Sequence, residues 1–133
     1  MEKKLNIKEL ILLAELLGQC VNDKNLKQSS TIISGIKISR SANATIKKYF
    51  EEQKEIFEKF DVKQKDVDGQ LVYSWEEKSK EEVQQINNVL EALVLVTHDV
   101  EYLNRINEDD FVIYTRGLNH SQVIFLYEYL VKE

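Results

Sequence analysis

Residues 39–60, SRSANATIKKYFEEQKEIFEKF, have the pattern of a long amphipathic helix. Apolar side chains recur on one face at helical spacing, namely Ala42, Ile46, Tyr49, Phe50, Phe57 and Phe60. The opposite face is charged, and Lys47 with Glu51 is one of several oppositely charged pairs spaced four residues apart. Each such pair stabilises an exposed helix by about 0.2–0.5 kcal/mol. The pattern predicts a helix from about Ser39 to Lys59.

The residues that follow predict a tight turn and a second long helix. Asp66-Val-Asp-Gly69 and then Gln70-Leu-Val-Tyr73 are typical of a short β-hairpin around an Asp-Gly turn. Ser74 or Ser79 is a candidate N-cap for a helix that reaches at least Leu93. Its apolar stripe consists of Trp75, Val83, Ile86, Val89, Leu90 and Leu93. We expect the two long helices to lie antiparallel, with their apolar faces in contact.

The two ends of the chain each carry a helix-start signature. Asn6 with Glu9, and Asn119 with Gln122, have the spacing of a capping box, in which the side chains of both residues bond to backbone N–H groups. The first predicted helix runs from Asn6 to about Asn22. The second runs from Asn119 to the C-terminus.

The remaining segments are less regular. Residues 99–106 alternate partly and predict a strand, with residues 2–5 as the natural neighbour. Residues 111–114 are a short apolar run, either a strand or a loop, after a polar break at 107–110. Residues 23–38 are either an extended connection or, in their later part, the first turns of the next helix. Together the segments predict an α+β, mainly α fold: a long antiparallel helical hairpin, a small antiparallel β-sheet and two packed terminal helices.

Composition favours one domain over residues 1–133. That length suits one domain and is too short for a second substantial one. Proline is absent, which is consistent with long helices. The longest apolar runs, such as residues 92–96, are five residues long, far shorter than the roughly 20 residues that cross a bilayer, so no membrane span is expected. Met1-Glu-Lys-Lys4 does not resemble a signal peptide, which predicts a cytoplasmic protein.

The residues that could be taken for metal ligands fit ordinary structural roles better than they fit metal binding. If Gly69 occupied position six of a calcium loop, Trp75 would stand where the bidentate glutamate belongs, so Asp66–Gly69 is interpreted as a turn. The run Glu108-Asp-Asp110 is interpreted as a solvated loop. His98 and His120 lack the spacing of metal ligands. We therefore expect no metal and no cofactor.

Candidate catalytic groups are equally sparse. Cys20 falls on the apolar face of the first helix and is interpreted as a small buried hydrophobe, since no base stands near it in sequence. The chain has no glycine-rich phosphate loop. We expect no catalytic residue and no enzymatic activity. An enzyme would instead require a pocket that collects dispersed groups such as His98 and Glu101.

Basic residues concentrate in one stretch of an acidic chain. The formal net charge is −5, yet residues 22–50 hold six basic side chains and one acidic one. Lys37, Arg40, Lys47 and Lys48 would fall within a roughly 100° arc if residues 37–48 form one helix. Such a stripe could contact nucleic acid or another anion, although a solvated face or an anionic protein partner is the favoured interpretation.

A second apolar set lies off the main stripes of the two terminal helices. It consists of Leu12, Leu16, Phe125 and Tyr129. Burying both terminal helices on two sides is difficult in a chain of this size. These residues are therefore predicted to bind a protein partner, and a homodimer is one form that such an interface could take.

Three segments carry a resemblance to a known family. They are Leu5-Asn-Ile-Lys-Glu-Leu10, Gly35-Ile-Lys-Ile-Ser-Arg40 and Leu118-Asn-His-Ser-Gln-Val123. In this order the chain resembles small uncharacterised helical-hairpin proteins of tailed phages of Gram-positive bacteria. The resemblance implies a phage or prophage origin and assigns no catalytic residue.

The expected function is non-enzymatic protein–protein interaction. A phage-encoded protein of this kind would bind a virion or assembly component, or would inhibit a host defence protein. It would act in the cytoplasm of the bacterial host or as part of the virion. The alternative is a small nucleic-acid-binding regulator that uses the basic helix face.

Overall fold

The computed structural model describes residues 3–20 and 29–132, and helices predominate there. The elements are β1 (Lys4–Leu5), α1 (Ile7–Gln19), α2 (Ser29–Lys59), β2 (Gln64–Val67), β3 (Gln70–Tyr73), α3 (Lys80–Leu95), β4 (His98–Asp99), α4 (Glu108–Tyr114) and α5 (His120–Leu130). β1 pairs with β4, and β2 pairs with β3, both antiparallel. This arrangement confirms the predicted α+β, mainly α fold with its helical hairpin.

The chain divides into two compact units. The first unit consists of residues 1–46 and 97–133, and the second consists of residues 47–96. The helix α2 contributes its first part to one unit and its last part to the other. Within the described ranges, no helix is both long enough and apolar enough to span a bilayer. The expectation of a single domain over residues 1–133 stays a prediction.

Both predicted capping boxes are present in the first unit. Glu9 N donates to Asn6 Oδ1 over 3.0 Å, and Asn6 N donates to Glu9 Oε1 over 3.1 Å. Asn119 and Gln122 exchange the same two bonds, each 3.0 Å long. These bonds satisfy backbone donors that have no partner within the helix, so α1 and α5 begin where the sequence predicts. The last residues of the first predicted helix, up to Asn22, lie partly outside the described residues.

The helix α2 begins ten residues before the expected Ser39. Of the two alternatives for residues 23–38, the first turns of the next helix are confirmed over residues 29–38, and residues 23–28 lie outside the described part. Gly35 allows α2 to lie close to Tyr114, because a Cβ atom at position 35 would lie 2.1 Å from the Tyr114 hydroxyl. Thr31 and Ile38 are buried on the same helix.

The strand predicted at residues 99–106 is wrong over most of its length. Only His98 and Asp99 pair with Leu5 and Lys4, so the predicted neighbour is correct but the strand is two residues long. The backbone then turns through two left-handed residues, Tyr102 (φ 71°) and Asn104 (φ 59°). Such residues cannot continue a pleated strand.

The prediction of a strand or loop at residues 111–114, after a break at 107–110, is also wrong. Both segments belong to α4, whose N-cap Asn107 accepts a 3.0 Å bond from Asp110 N. Three acidic residues occupy its first turn, where the helix dipole favours negative charge. Phe111 and Tyr114 are buried one turn apart.

The second unit is the helical hairpin with its connecting turn. Asp68 (φ 51°) and Gly69 (φ 83°) form the predicted turn, and Gly69 N donates to Asp66 Oδ1 over 3.0 Å. Of the two candidate caps, Ser79 is the one that starts α3. Phe57, Val62 and Ile86 form a core cluster, packed by Phe60, Tyr73 and Leu90. Trp75 precedes α3 and does not belong to its stripe, but its ring still contacts Phe57.

Candidate functional site

A groove in the first unit is the candidate binding surface. Its volume is about 1260 Å³, above the roughly 300–1,000 Å³ of small-molecule sites. One wall is the start of α2, from Ser30 to Lys37, and the other is the segment 99–105. Lys3 and Lys132 complete the lining. We call this surface the cationic groove.

The segment that forms one wall of the groove is fixed to the end of α5. The side-chain amide of Asn104 donates to the carbonyl oxygens of Glu128 and Val131, over 2.8 Å each. Backbone bonds run from Asn104 N to Tyr129 O (2.8 Å) and from Ile106 N to Leu130 O (2.9 Å). These bonds satisfy carbonyls that the helix end would otherwise leave without partners. They also hold Asn104 in its left-handed conformation, which asparagine tolerates well.

Tyr102 is the centre of the groove's chemistry. Lys37 Nζ lies 5.2 Å from the centroid of its ring, and the Arg105 guanidinium carbon lies 4.8 Å from it. Both distances are in the range of cation–π attraction. Tyr102 also adopts a positive φ of 71°, a conformation that is costly for a bulky residue and that concentrates at functional sites.

The lining combines positive charge with apolar and polar groups. Four cationic side chains, Lys3, Lys37, Arg105 and Lys132, face two carboxylates, Asp99 and Glu101. Apolar contact area comes from Ile33, Val100 and Leu103, and hydroxyls come from Ser30 and Ser34. An excess of positive charge therefore collects on a chain whose net charge is −5. Tyrosine and arginine beside apolar residues are typical of protein interfaces.

A smaller cavity of about 190 Å³ lies in the second unit and is less suited to binding. Four of the charged side chains in its lining already pair with each other: Lys63 with Glu77 at 3.1 Å, and Lys65 with Glu76 at 2.8 Å. The bond between Lys65 and Glu76 raises the pKa of the lysine and lowers the pKa of the carboxyl. A ligand would have to compete with these internal pairs.

The four residues predicted to bind a partner do not form one exposed patch. Leu12 is 39% exposed and Phe125 is half-buried, but Leu16 and Tyr129 are buried. The Tyr129 hydroxyl donates to Glu9 Oε2 over 3.3 Å, and its ring lies 5.1 Å from that of Phe125. The expected exposure of Leu16 and Tyr129 is therefore wrong, because α1 and α5 pack against each other inside the first unit.

The outer face of α5 carries apolar residues that the sequence analysis did not single out. Ile124 and Tyr127 are exposed there, and Val112 is exposed on α4. Tyr127 contacts α4 through its ring against Phe111 and through its hydroxyl, which donates to Glu108 Oε1 over 3.2 Å. That bond raises the pKa of Tyr127. No signal in the helical periodicity distinguished these exposed residues from buried ones.

Of the four predicted basic residues, one lines the cationic groove. The helix α2 is continuous through residues 37–48, as the predicted stripe requires. All four side chains are exposed, but only Lys37 lines the cationic groove, and Arg40, Lys47 and Lys48 do not. Their contact with nucleic acid stays a prediction.

The pKa shifts that are resolved among the described residues move away from neutral pH. Burial raises the pKa of Cys20 to about 12, and its thiol donates to Leu16 O over 3.2 Å. Burial also raises the pKa of Tyr114 and of Tyr129 to about 12. Of the two groups that an enzyme pocket would have collected, the groove contains Glu101 but not His98. Within residues 3–20 and 29–132, no cluster of three or more His, Cys, Asp and Glu side chains could hold a metal ion.

Tyr102 and Arg105 are candidate functional residues that the sequence pattern did not indicate. The pattern predicts that both lie in a strand, and their role depends on a backbone conformation that distant bonds to α5 impose. Asn104 was the only local signal, since asparagine is enriched at positive φ.

Comparison with known proteins gave no relative for this chain. No family model, no curated protein and no solved structure matches it. The resemblance to phage proteins therefore stays a prediction.

Proposed function

We propose that the protein is a non-enzymatic binding protein and that the cationic groove holds its partner, another protein. The observation that carries this proposal is the Tyr102 ring with Lys37 and Arg105 beside it, in a groove larger than small-molecule sites. Tyrosine and arginine are the residue types that most often dominate binding energy at protein interfaces.

The lining favours a protein over a nucleic acid. Asp99 and Glu101 lie among the cations, and they would repel a phosphate backbone that carries a charge on every nucleotide. Discrete carboxylates of a polypeptide can avoid them. The apolar side chains of Ile33, Val100 and Leu103 also offer contacts that a protein partner can use and a phosphate backbone cannot.

The absence of enzymatic activity is part of the same proposal. The thiol of Cys20 has a pKa raised to about 12 by burial, so it is protonated at neutral pH and is a poor nucleophile. The other resolved shifts also move away from neutral pH, whereas acid–base catalysts work best when their pKa is near the operating pH.

The resemblance to phage proteins adds a biological context to the proposal. A phage-encoded binding protein would act on a virion or assembly component, or on a host defence protein, in the host cytoplasm or in the virion. The alternative function is nucleic-acid binding by Lys37, Arg40, Lys47 and Lys48, which the continuity of α2 favours.

Site-specific photo-crosslinking tests whether a protein occupies the groove. Ile33 lines the groove and is 50% exposed, whereas Ile36 is 46% exposed on the same helix and does not line it. Each is replaced in turn by a photoreactive residue, Ile33→benzoylphenylalanine or Ile36→benzoylphenylalanine. The full chain is then irradiated in an extract of the organism that carries the gene, with and without nuclease.

We expect nuclease-resistant protein adducts from position 33 that are several-fold more abundant than those from position 36. Equal yields at the two positions would refute the groove as the binding site. Adducts that disappear after nuclease treatment would favour nucleic-acid binding instead.

A further inference from the structure

We infer that the cationic groove binds an extended acidic segment of its partner, whose carboxylates engage Lys37 and Arg105 beside the Tyr102 ring. This inference rests on the proposed function and names the chemistry of the partner. Charge complementarity is its first support, because four cationic side chains line a groove on a chain whose net charge is −5. The local excess of positive charge in the groove would attract the partner's carboxylates at short range.

The two central cations have unused capacity for carboxylates. Within the described ranges, neither Lys37 nor Arg105 forms an ion pair, and the Tyr102 ring is the contact that they share. A ring face leaves most of the N–H donors of both side chains available. Arginine can grip a carboxylate through two parallel hydrogen bonds, and lysine can act as a point charge.

The spacing of these cations suits an extended chain. Their distances to the ring centroid, 5.2 and 4.8 Å, mean that the two charged atoms are at most 10.0 Å apart. Side chains two residues apart on an extended strand point to the same side and are separated by about 7 Å. Acidic residues at alternate positions can therefore reach both cations, while the residues between them face away.

Tyr102 is placed for this role at the expense of backbone stability. Its φ of 71° disfavours a bulky side chain, and glycine would relieve the strain. A ring is nevertheless held there, on a segment fixed through Asn104 to the end of α5. The groove is thus preformed, which reduces the entropy lost when a segment binds.

Fluorescence polarisation with defined peptides tests the inference on the full chain. The probe is a short labelled peptide with glutamate at alternate positions and leucine, serine and glycine between them. The comparison probes carry glutamine or lysine in place of glutamate, and a single-stranded oligothymidylate of similar length represents nucleic acid. We expect the glutamate peptide to bind at least tenfold more tightly than the glutamine peptide at low salt, and more weakly as salt rises.

Charge reversal separates the groove from the rest of the surface. Arg105→Glu and Lys37→Glu are expected to weaken binding of the glutamate peptide by roughly tenfold or more. Arg40→Glu is the matched control, since Arg40 is an exposed cation on α2 that does not line the groove, and it should change affinity less than about twofold.

Ring replacement at Tyr102 distinguishes binding from folding. Tyr102→Phe keeps the ring and should bind nearly as well as the wild type. Tyr102→Gly relieves the positive φ and removes the ring, so it should lose at least tenfold in affinity without a lower melting temperature.

Three results would overturn the inference: equal binding of the glutamine and glutamate peptides, equal losses for Arg40→Glu and Arg105→Glu, or tighter binding of oligothymidylate. Failure here is separable from failure of the proposed function. If position 33 still crosslinks selectively to a protein while no acidic peptide binds, the groove binds a protein of different chemistry. If position 33 does not crosslink selectively, the proposed function itself fails.

Discussion

Gly35 shows how one residue fixes the contact between α2 and α4. An added Cβ at Gly35 would lie 2.1 Å from the Tyr114 hydroxyl and 3.1 Å from the ring carbon that bears it. Tyr114 is buried, so its ring has little room to move away. The position therefore needs glycine for space, although glycine inside a helix costs about 1 kcal/mol relative to alanine.

The first prediction concerns Gly35→Ala, which we expect to lower the free energy of unfolding by about 1–3 kcal/mol through overpacking. Gly18→Ala is the control, because nothing lies within 4 Å of a Cβ at Gly18 and this helical position should be neutral or stabilised. Chemical denaturation measures both. Tyr114→Phe should recover part of the loss in the double variant, and equal stabilities of the two alanine variants would contradict the steric argument.

Asn104, like Gly35, holds two parts of the first unit together: it connects the groove segment to the end of α5. Its amide bonds to two carbonyls at the end of α5, and its φ is 59°. Asn104→Ala should cost about 1–3 kcal/mol of unfolding free energy, since the variant loses both bonds and keeps the left-handed backbone. Asn104→Gly loses the same bonds without the backbone penalty, so it should be the more stable of the two in the same denaturation experiment. A less stable glycine variant would contradict this account.

At the scale of elements, the terminal helices form a shared core in the first unit. Leu16 of α1 and Leu126 and Leu130 of α5 are fully buried, whereas Leu12 is 39% exposed. The interpretation from sequence placed Leu12 and Leu16 together because they are one turn apart. Their different environments arise from the packing of other elements around α1, and helical periodicity alone does not predict that packing.

This difference gives the third prediction. Leu16→Glu buries a charge without a partner and should unfold the first unit or destabilise it by more than about 4 kcal/mol. Leu12→Glu should change stability by less than about 1 kcal/mol. Circular dichroism during thermal unfolding measures both, and light scattering of Leu12→Glu reports separately on any dimer that uses this face. A folded Leu16→Glu protein with native stability would contradict the observed burial.

Local signals account for the elements that sequence analysis predicted well. The capping boxes at Asn6 and Asn119 and the turn at Gly69 depend on residues within four positions, so spacing was sufficient to predict them. The start of α2 and the helix α4 were harder because β-branched or apolar residues there are equally compatible with strands. The groove could not be predicted, because the conformation of Tyr102 depends on bonds from Asn104 to residues 24 and 27 positions later.

At the scale of the whole molecule, three side chains with raised pKa values make the free energy of unfolding depend on pH. Cys20, Tyr114 and Tyr129 have pKa values raised to about 12, from ordinary values of 9.0 for the thiol and 10.0 for the phenols. Burial is the first cause in each case, since a buried site disfavours the charged form. The unfolded chain therefore releases these protons at a lower pH than the folded protein does.

The fourth prediction follows from the sign of this linkage. Between about pH 9 and pH 12 the folded state binds more protons than the unfolded state, so the free energy of unfolding must fall as pH rises through that window. Urea denaturation at a series of pH values measures the slope. Tyr114→Phe and Cys20→Ala should each make this slope shallower, because each removes one group that the folded state keeps protonated.

Thiol reactivity provides an independent readout: Cys20 should react slowly with a disulfide reagent near pH 9 and rapidly once urea unfolds the chain. If folded Cys20 reacts as fast as the unfolded thiol at that pH, burial does not raise the pKa of the thiol. Cys20 would then make no contribution to the predicted loss of stability at alkaline pH.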